Sequence, residues 1–163
     1  MFERCTENAI KVVMLAQEEA YRLGYRTVGS EHLLLGVIGL GQGSCDAHRV
    51  LNEQGIDLHI CRAAVEALTG KGSDYLTANC PWYERLFNRV MNAFVERPFS
   101  EDAKDALVHA AIFAKETNKN VIDTEQLLIG ILEGTSSKAI ETLKRCGTEP
   151  DAIKEVLKSK LVT

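Results

Sequence analysis

Apolar residues recur at helical spacing near the start of the chain and mark one face of a predicted helix: Ile10, Val13, Met14, Ala20 and Leu23. Thr6 lies just before this stretch, where a side-chain hydroxyl accepts hydrogen bonds from the first-turn amides of a helix. Gly24 lies just after it and is typical of the residue that follows a helix C-terminus. We therefore expect a first helix over roughly residues 7–23.

The same pattern occurs a second time in the chain. Residues 6–38 align without a gap with residues 100–132, at a constant offset of 94 positions. Under this offset the run EHLLLG, which begins at Glu31, matches EQLLIG, which begins at Glu125. Beyond a loop that is two residues shorter in the second copy, the match continues at Leu51 and Gly55 with Leu143 and Gly147. Self-similarity on this scale indicates the duplication of a whole structural unit.

Each copy carries start and stop signals for four helices. These signals fall at equivalent places: Thr6 and Ser100 before the first helix, Ser30 and Thr124 as caps of the second, Gly55 and Gly147 after the third, and Asp57 and Pro150 at the start of the fourth. Glu31 and Glu125 then stand at the N-terminus of a short Leu-rich helix. The predicted fold is all-α, with two tandem four-helix repeats related by pseudo-two-fold symmetry.

The segment between the two copies has a different composition. We divide the chain into a first repeat over residues 1–70, a linker over 71–97 and a second repeat over 98–163. The linker contains apolar residues at helical spacing, among them Trp82, Tyr83 and Phe87, which predict an extra amphipathic helix. Two interpretations are open: the helix packs across the groove between the repeats, or its aromatic face is a docking surface for a partner.

Composition and charge exclude several classes of protein. Apolar residues make up 45% of the chain, which is ample for a core, and the formal net charge of −4 lacks the basic excess that nucleic-acid binding requires. No apolar run approaches the ~18 residues that span a bilayer, and the polar opening is unlike a secretory signal. Five widely spaced cysteines predict neither a disulfide framework nor a zinc knuckle. We expect a soluble, intracellular protein in a reducing compartment, with no nucleic-acid or membrane partner.

Residues that could carry catalysis or hold a metal are scattered along the sequence. The fragment TGKGS at residues 69–73 lacks the upstream glycine of a phosphate-binding loop, and no Ser or Thr directly follows its lysine. The possible metal ligands match no standard spacing: Cys45, His48, His59 and Cys61. No glycine-framed nucleophile is present. We therefore predict that the chain is not an enzyme and uses no metal or cofactor.

His32 follows Glu31 in the Leu-rich helix of the first copy, and Gln126 takes its place in the second. A glutamine forms hydrogen bonds like a neutral histidine but does not titrate between pH 5 and 8. The substitution between copies therefore favours a hydrogen-bonding role at the helix start at least as much as a titrating one.

Several runs of the sequence carry a family resemblance: MFER at residue 1, KVVMLAQEEAYRLGY at 11–25, VGSEHLLLGVI at 28–38, VLNEQGID at 50–57, PFSEDAKDAL at 98–107 and DTEQLLIGIL at 123–132. These runs resemble the N-terminal double repeat of the Clp/Hsp100 unfoldases, closest to the ClpC type. The resemblance implies a non-catalytic recognition module of the Clp protease system that binds adaptors, tagged substrates or Clp subunits. The alternative is an accessory subunit that docks on the Clp protease core. Either function places the chain in a bacterial cytoplasm or a plastid stroma.

The resemblance also implies a site. ClpC-type domains carry related pockets for phosphorylated arginine, in which a glutamate at the start of each second helix receives the guanidinium. The residues at the corresponding positions are the glutamates Glu31 and Glu125, the hydroxyls Thr6 and Ser100, and the adaptor-facing Phe2 and Phe99. Helix N-termini bind anions and a carboxylate binds a guanidinium as a fork, so the expectation is chemically sound. The alternative is that the two glutamates are ordinary acids at helix starts.

The sequence departs from the family pattern in three ways. The linker is longer and more aromatic than usual, and Asn118, Lys119 and Asn120 replace a common glycine-histidine-asparagine turn. The ATPase modules with their Walker motifs are absent. The chain is therefore expected to be either a fragment or a free-standing member of the family.

Overall fold

The computed structural model describes residues 2–41, 43, 45–72, 97–119, 121–134 and 137–162. This described part of the chain forms eight α-helices and one short 3-10 helix, together with two isolated backbone bridges. The predicted all-α class is confirmed.

The eight helices form two runs of four. The first run is α1 (Glu7–Arg22), α2 (Ser30–Gly39), α3 (Asp46–Glu53) and α4 (Leu58–Thr69), preceded by the 3-10 helix Phe2–Arg4. The second run is α5 (Glu101–Glu116), α6 (Thr124–Glu133), α7 (Lys138–Arg145) and α8 (Pro150–Val162). The predicted double four-helix repeat is confirmed. The predicted linker helix, with Trp82, Tyr83 and Phe87, lies outside the described residues.

Several predicted helix boundaries are found in the structure. Gly24, Gly55 and Gly147 follow α1, α3 and α7, and their φ angles of 76°, 74° and 80° are left-handed values that favour glycine. Asp57 caps α4, since its side chain accepts from the amide of His59. Pro150 is the first residue of α8, where its missing N–H costs no helical hydrogen bond.

The second helix of each repeat is capped one residue earlier than the sequence predicts. The N-cap is Gly29 in α2 and Asp123 in α6, so Ser30 and Thr124 are the first helical residues. The carboxylate of Asp123 caps its helix by accepting from the Thr124 amide at 2.8 Å. Gly29 has no side chain for this purpose, and its own N–H donates to Nδ1 of His32 at 3.0 Å.

Ser100 also departs from its predicted role as an accepting cap. It is the N-cap residue of α5, but its hydroxyl makes no capping bond with the helix. Instead the hydroxyl donates to the carbonyl of Val28 at 3.1 Å and contacts the carboxylate of Asp102. Thr6 does act as predicted and accepts a first-turn amide at 3.3 Å. The difference follows from Asp102, because its equivalent in the first repeat is Asn8, which carries no charge.

Helices α2 and α6 form the centre of the fold. Their apolar residues are buried almost completely, as expected for a helix that is apolar all round: Leu33, Leu34, Leu35, Val37, Leu127, Leu128, Ile129 and Ile131. Helix α1 packs on α2, α5 packs on α6, and α2 also contacts α6. Both repeats therefore share one hydrophobic core.

One glycine in each central helix permits close packing. A Cβ atom at Gly36 would lie 2.4 Å from the carbonyl oxygen of Val12, and one at Gly130 would lie 2.2 Å from that of Ala106. The two glycines are equivalent under the offset of 94 positions. In both repeats the backbone of the first helix therefore rests directly on the second helix.

Two backbone bridges join the repeats to each other. Residue Cys5 pairs with Ile122 and Val28 pairs with Phe99, both in parallel. The amide of Thr6 donates to Ile122 O, and the amide of Ser100 donates to Val28 O, each at 2.9 Å. Each bridge therefore brings the start of the first helix of one repeat to the start of the second helix of the other.

The sulfur atoms of Cys61, on α4, and Cys146, at the end of α7, lie 3.6 Å apart. Burial raises the pKa of the Cys61 thiol, and the neighbouring Cys146 raises it further. Because the thiol stays protonated, Cys61 packs between the repeats as a small apolar side chain.

Substitution of either close-packing glycine is expected to destabilise the protein. In Gly36→Ala and Gly130→Ala the new methyl group would overlap backbone atoms, which cannot move as a flexible side chain can, so we expect a loss of about 1–3 kcal/mol in the free energy of unfolding. Urea denaturation measures the loss.

The matched control is Gly39→Ala in the same helix as Gly36. Its Cβ would approach nothing closer than 3.8 Å, so it should be neutral or stabilising by up to about 1 kcal/mol. Equal stability of all three variants would contradict the close packing.

Candidate functional site

Two clusters of helix N-termini lie where the repeats meet. In the first, which we call the Glu125 pocket, the starts of α1 and α3 face the start of α6 from the other repeat. In the second, which we call the Glu31 cluster, the starts of α5 and α7 face the start of α2. The two clusters are therefore equivalent under the pseudo-two-fold symmetry, and each takes residues from both repeats.

The Glu125 pocket is an open cavity of about 500 Å³. Its lining is mainly polar: Asn8, Gly43, Cys45, Asp46, His48, Arg49, Asn52, Asp123 and Glu125. Oε1 of Glu125 accepts from the amide of Asp46 at 3.1 Å. The carboxylate of Asp123 accepts from the Thr6 hydroxyl at 2.8 Å. These bonds hold two carboxylates at the wall of the cavity.

The charges of the Glu125 pocket suit a cationic group. Three carboxylates line it, those of Asp46, Asp123 and Glu125. The guanidinium of Arg49 also lines it but is already in contact with Asp46. Negative charge therefore predominates, while the positive ends of three helix dipoles provide places for a bound anion nearby.

The Glu31 cluster has a different character because its glutamate is buried. Glu31 is only 1% exposed, and its Oε1 lies 3.8 Å from Nζ of Lys138. Its other oxygen, Oε2, meets no hydrogen-bond donor among the described residues. Burial raises the pKa of Glu31, and this outweighs the opposing effects of a backbone hydrogen bond at Glu31 and of the positive charge of Lys138; the negative charge of Asp102 adds a small further increase.

Asp102 is the second acid of the Glu31 cluster. Its Oδ2 accepts from the hydroxyl of Ser30 at 2.6 Å, and its Oδ1 contacts the hydroxyl of Ser100. Burial opposes its charge, but these hydrogen bonds from Ser100 and Ser30 hold the pKa of Asp102 below its usual range. Ser30 in turn accepts from the hydroxyl of Ser137 at 2.9 Å and from the amide of Ala139 at 3.3 Å. The start of α2 is thus linked to the starts of α5 and α7.

Gly29 and Asp123, at equivalent positions, account for the different directions of the two glutamates. A Cβ atom on Gly29 would lie 2.2 Å from Oε2 of Glu31, so the glutamate folds back over its own helix cap only because no side chain is there. In the second repeat Asp123 occupies that place. Glu125 accordingly points into the open pocket instead.

His32 and Gln126 have the same structural role in the two repeats. Nδ1 of His32 accepts from Gly29 N, and Oε1 of Gln126 accepts from Asp123 N, both at 3.0 Å. The hydrogen-bonding role proposed for His32 is therefore found in the structure. Burial and, to a smaller extent, the positive charge of Lys138 lower the pKa of His32 to about 4.

The structure groups the predicted site residues across the repeats. Thr6 lies beside the acids that accompany Glu125, whereas Ser100 belongs to the cluster of Glu31. Phe2 lies in the 3-10 helix, and Phe99 is half-buried next to its bridge with Val28.

The structure also shows the position of a residue suggested as a metal ligand. The suggested metal ligand Cys45 caps α3, because its sulfur accepts from the His48 amide at 3.3 Å. In the part of the chain that is described, no group of three or more His, Cys, Asp or Glu side chains is placed to hold a metal.

Sequence reasoning missed Asp102, Lys138 and Asp46. The available signal was that the two repeats differ in charge at these positions.

The double repeat and its paired helix-start clusters define a member of the Clp N-terminal repeat class. The model of the family described as Clp repeat (R) N-terminal domain matches residues 4–96 and 98–163. The chain belongs to this family, and the resemblance found in the sequence is confirmed. Domains of this family generally bind substrates and adaptors for Clp ATPases.

Among named relatives, the chaperone protein ClpC, chloroplastic, of Pisum sativum is 40% identical over 154 residues, which cover 94% of this chain and 15% of the relative. The ATP-dependent Clp protease ATP-binding subunit ClpA homolog of Guillardia theta is 41% identical over 146 residues, which cover 88% of this chain and 16% of the relative. The chain thus spans less than one fifth of the length of these relatives.

Solved structures share the fold. The N-terminal domain of the caseinolytic protease associated chaperone ClpD from Arabidopsis thaliana superposes with a TM-score of 0.74 at 24% identity, covering 100% of this chain and 97% of that one. The Hsp104 N-terminal domain from Candida albicans superposes with a TM-score of 0.67 at 19% identity, covering 95% of this chain and 89% of that one.

Within the described ranges, none of the helices has the length and apolar character needed to cross a membrane.

His32→Gln is expected to make the protein less sensitive to acid. With a folded-state pKa of about 4 against an ordinary value of 6.5, His32 takes up its proton more readily in the unfolded chain. Its contribution to stability is therefore complete above about pH 6.5 and is lost as the pH falls towards 4. The wild type should lose up to about 1.4 kcal/mol per pH unit more than the variant in this window. Urea denaturation from pH 7 to pH 4.5 measures the difference.

At pH 7 the variant should fold normally, because Gln126 makes the equivalent cap. The control is His59→Gln on α4, an exposed position, which should keep the wild-type slope. If the free energy of unfolding falls equally with pH in the wild type and in His32→Gln, His32 does not contribute to the acid sensitivity.

Proposed function

We propose that the chain is a non-catalytic recognition module of the Clp protein-degradation system, and that it binds phosphorylated arginine on adaptor, substrate or Clp proteins. The observation that carries this proposal is the Glu125 pocket, an open cavity of about 500 Å³ in which three carboxylates meet the starts of three helices. A site of this kind can recognise a ligand by its charge.

The guanidinium end of such a ligand matches the carboxylates of the pocket. A planar guanidinium donates two parallel hydrogen bonds to one carboxylate, and it retains further donors for a second. Glu125 is partly exposed and points into the cavity, and Asp123 lies at the same wall. An ammonium group would use this geometry less well, because it has no planar fork.

The phosphate end matches the remaining lining. Arg49 and His48 are basic side chains of the cavity wall, and Asn8 brings an amide at the first turn of α1. The positive end of the α1 dipole lies at this place and favours a phosphate. A ligand that carries both charges therefore fits the pocket better than arginine alone.

The biological setting follows from the relatives. Named relatives include chloroplastic ClpC proteins, which supports a plastid stroma, and a bacterial cytoplasm suits the same family. Because Clp N-terminal domains generally serve the ATPases that carry them, the partners of this chain are a Clp ATPase, Clp protease subunits, and adaptor or substrate proteins. Phe2 and Phe99, at the starts of the first helices, belong to the adaptor-facing surface in this proposal.

Calorimetric titration with free phosphoarginine tests the pocket. The wild-type protein should release or absorb heat, and Glu125→Gln should weaken binding by about 10- to 100-fold, since a charge-assisted hydrogen bond contributes about 1.5–3 kcal/mol. Arginine without phosphate should bind more weakly than phosphoarginine.

The matched control is Glu141→Gln, at an exposed glutamate on α7 that does not line the pocket. It should bind like the wild type. No heat from the wild-type protein, or equal loss in both variants, would refute the proposal.

A pull-down from native lysate tests the partners separately. Recovery of a Clp ATPase or an adaptor that depends on Glu125 supports the recognition module. Recovery of protease-ring subunits alone, unaffected by Glu125→Gln, would instead support an accessory subunit of the protease core.

A further inference from the structure

The two clusters are equivalent in sequence position but not in charge. We infer that, of the two, only the Glu125 pocket accepts a ligand, and that the Glu31 cluster is filled by the chain's own side chains, with Asp102 in the place of a ligand's anion and Lys138 in the place of its cation. This inference rests on the proposed function, since it concerns which of the two related clusters serves it.

Asp102 lies on the first turn of α5, at the place that corresponds to Asn8 on α1, where the proposed function puts the phosphate. Its Oδ2 is 2.6 Å from the hydroxyl of Ser30 and 3.4 Å from the amide of the same residue. Its Oδ1 contacts the hydroxyl of Ser100. A phosphate at a helix N-terminus uses the same donors, amides and hydroxyls of the first turn. A phosphate and the Asp102 carboxylate therefore exclude each other at this place.

Lys138 supplies the matching cation. Its Nζ lies 3.8 Å from Oε1 of Glu31, and its side chain is 52% exposed, so it covers the buried carboxylate from the solvent side. Glu31 is 1% exposed and folds back over Gly29. A guanidinium from outside would have to displace Lys138 and draw Glu31 out of its buried position.

In the Glu125 pocket, the residue equivalent to Asp102 is uncharged and the residue equivalent to Lys138 has the opposite charge. Asn8 corresponds to Asp102 under the offset of 94, and Asp46 corresponds to Lys138 under the offset of 92 that follows the shorter loop. At these two positions the open pocket therefore has neither the anion nor the cation, while its Asp123 carboxylate lies at the cap of α6 and accepts from the Thr6 hydroxyl and the Thr124 amide. Its Glu125 remains partly exposed and available to a ligand.

A residue-resolved NMR titration of the 15N-labelled chain with phosphoarginine distinguishes the clusters. Saturable amide shifts are expected at Asn8, Asp46 and Thr124, and none at Ser30 or Ala139. Glu125→Gln should reduce the affinity by at least tenfold, whereas Glu31→Gln should change it by less than twofold.

The outcomes separate this inference from the proposed function. Saturable shifts at Ser30 and Ala139 that disappear in Glu31→Gln would overturn the inference while leaving the recognition function intact. No saturable shift anywhere would overturn the proposed function and the inference with it.

A charge-reversed variant tests the residues that fill the cluster. Asp102→Asn combined with Lys138→Asp copies the charges of the open pocket, and we expect a second set of saturable shifts at Ser30 and Ala139. A folded double variant without this second set would show that Asp102 and Lys138 are not what closes the cluster. If the double variant does not fold, Asp102→Asn combined with Lys138→Ala is used instead, since it removes both internal charges without adding a new one. Shifts at Ala139 are then expected, and their absence would count equally against the inference.

Discussion

Two backbone hydrogen bonds position the helix starts at the junction of the repeats. The amides of Thr6 and Ser100 donate across the pseudo-two-fold axis to Ile122 and Val28, each at 2.9 Å. These amides precede the first helices, so no partner within their own helix satisfies them, and an unpaired buried amide is costly. By pairing with the other repeat they fix which helix starts face each other. The hydrophobic contact of α2 with α6 supplies cohesion, but these bonds set the register.

The same backbone arrangement therefore occurs twice with two different sets of side chains. A missing Cβ at Gly29 lets one glutamate turn inward, while the carboxylate of Asp123 keeps the equivalent position occupied in the other repeat. One cluster becomes a buried network of acids, hydroxyls and a lysine, and the other remains an open acidic cavity. Duplication has thus preserved the geometry of the helix starts while a few substitutions changed their chemistry.

Sequence reasoning predicted the fold well because its signals are local. Apolar spacing, the capping hydroxyl of Thr6 and the glycines after α1, α3 and α7 act within one helix, and the structure places them as expected. It misplaced the caps of α2 and α6, where a serine or threonine is a common choice but Gly29 and Asp123 are used. The acceptors provided by His32 and Gln126 three residues later make this earlier cap possible.

The candidate site was harder to predict because alignment of two copies shows equivalence and not contact. Glu31 and Thr6 belong to the same repeat, yet they lie in different clusters. Asp102 closes the Glu31 cluster because it is partly buried beside Ser30. The spacing of apolar residues along a helix does not predict such a contact between repeats. The changes from Asn8 to Asp102 and from Asp46 to Lys138 between the copies indicated that the clusters had diverged.

Because each cluster takes residues from both repeats, ligand binding depends on the docking of one repeat on the other. A ligand in the Glu125 pocket contacts residues on both sides of the junction, so it binds the docked arrangement and not the separated repeats. At a concentration one hundred times its dissociation constant, such a ligand would favour the docked form by about 2.7 kcal/mol. Such a ligand would hold the two repeats together, and a chain that had opened at the junction would lose its affinity for the ligand although every side chain of the pocket was still present.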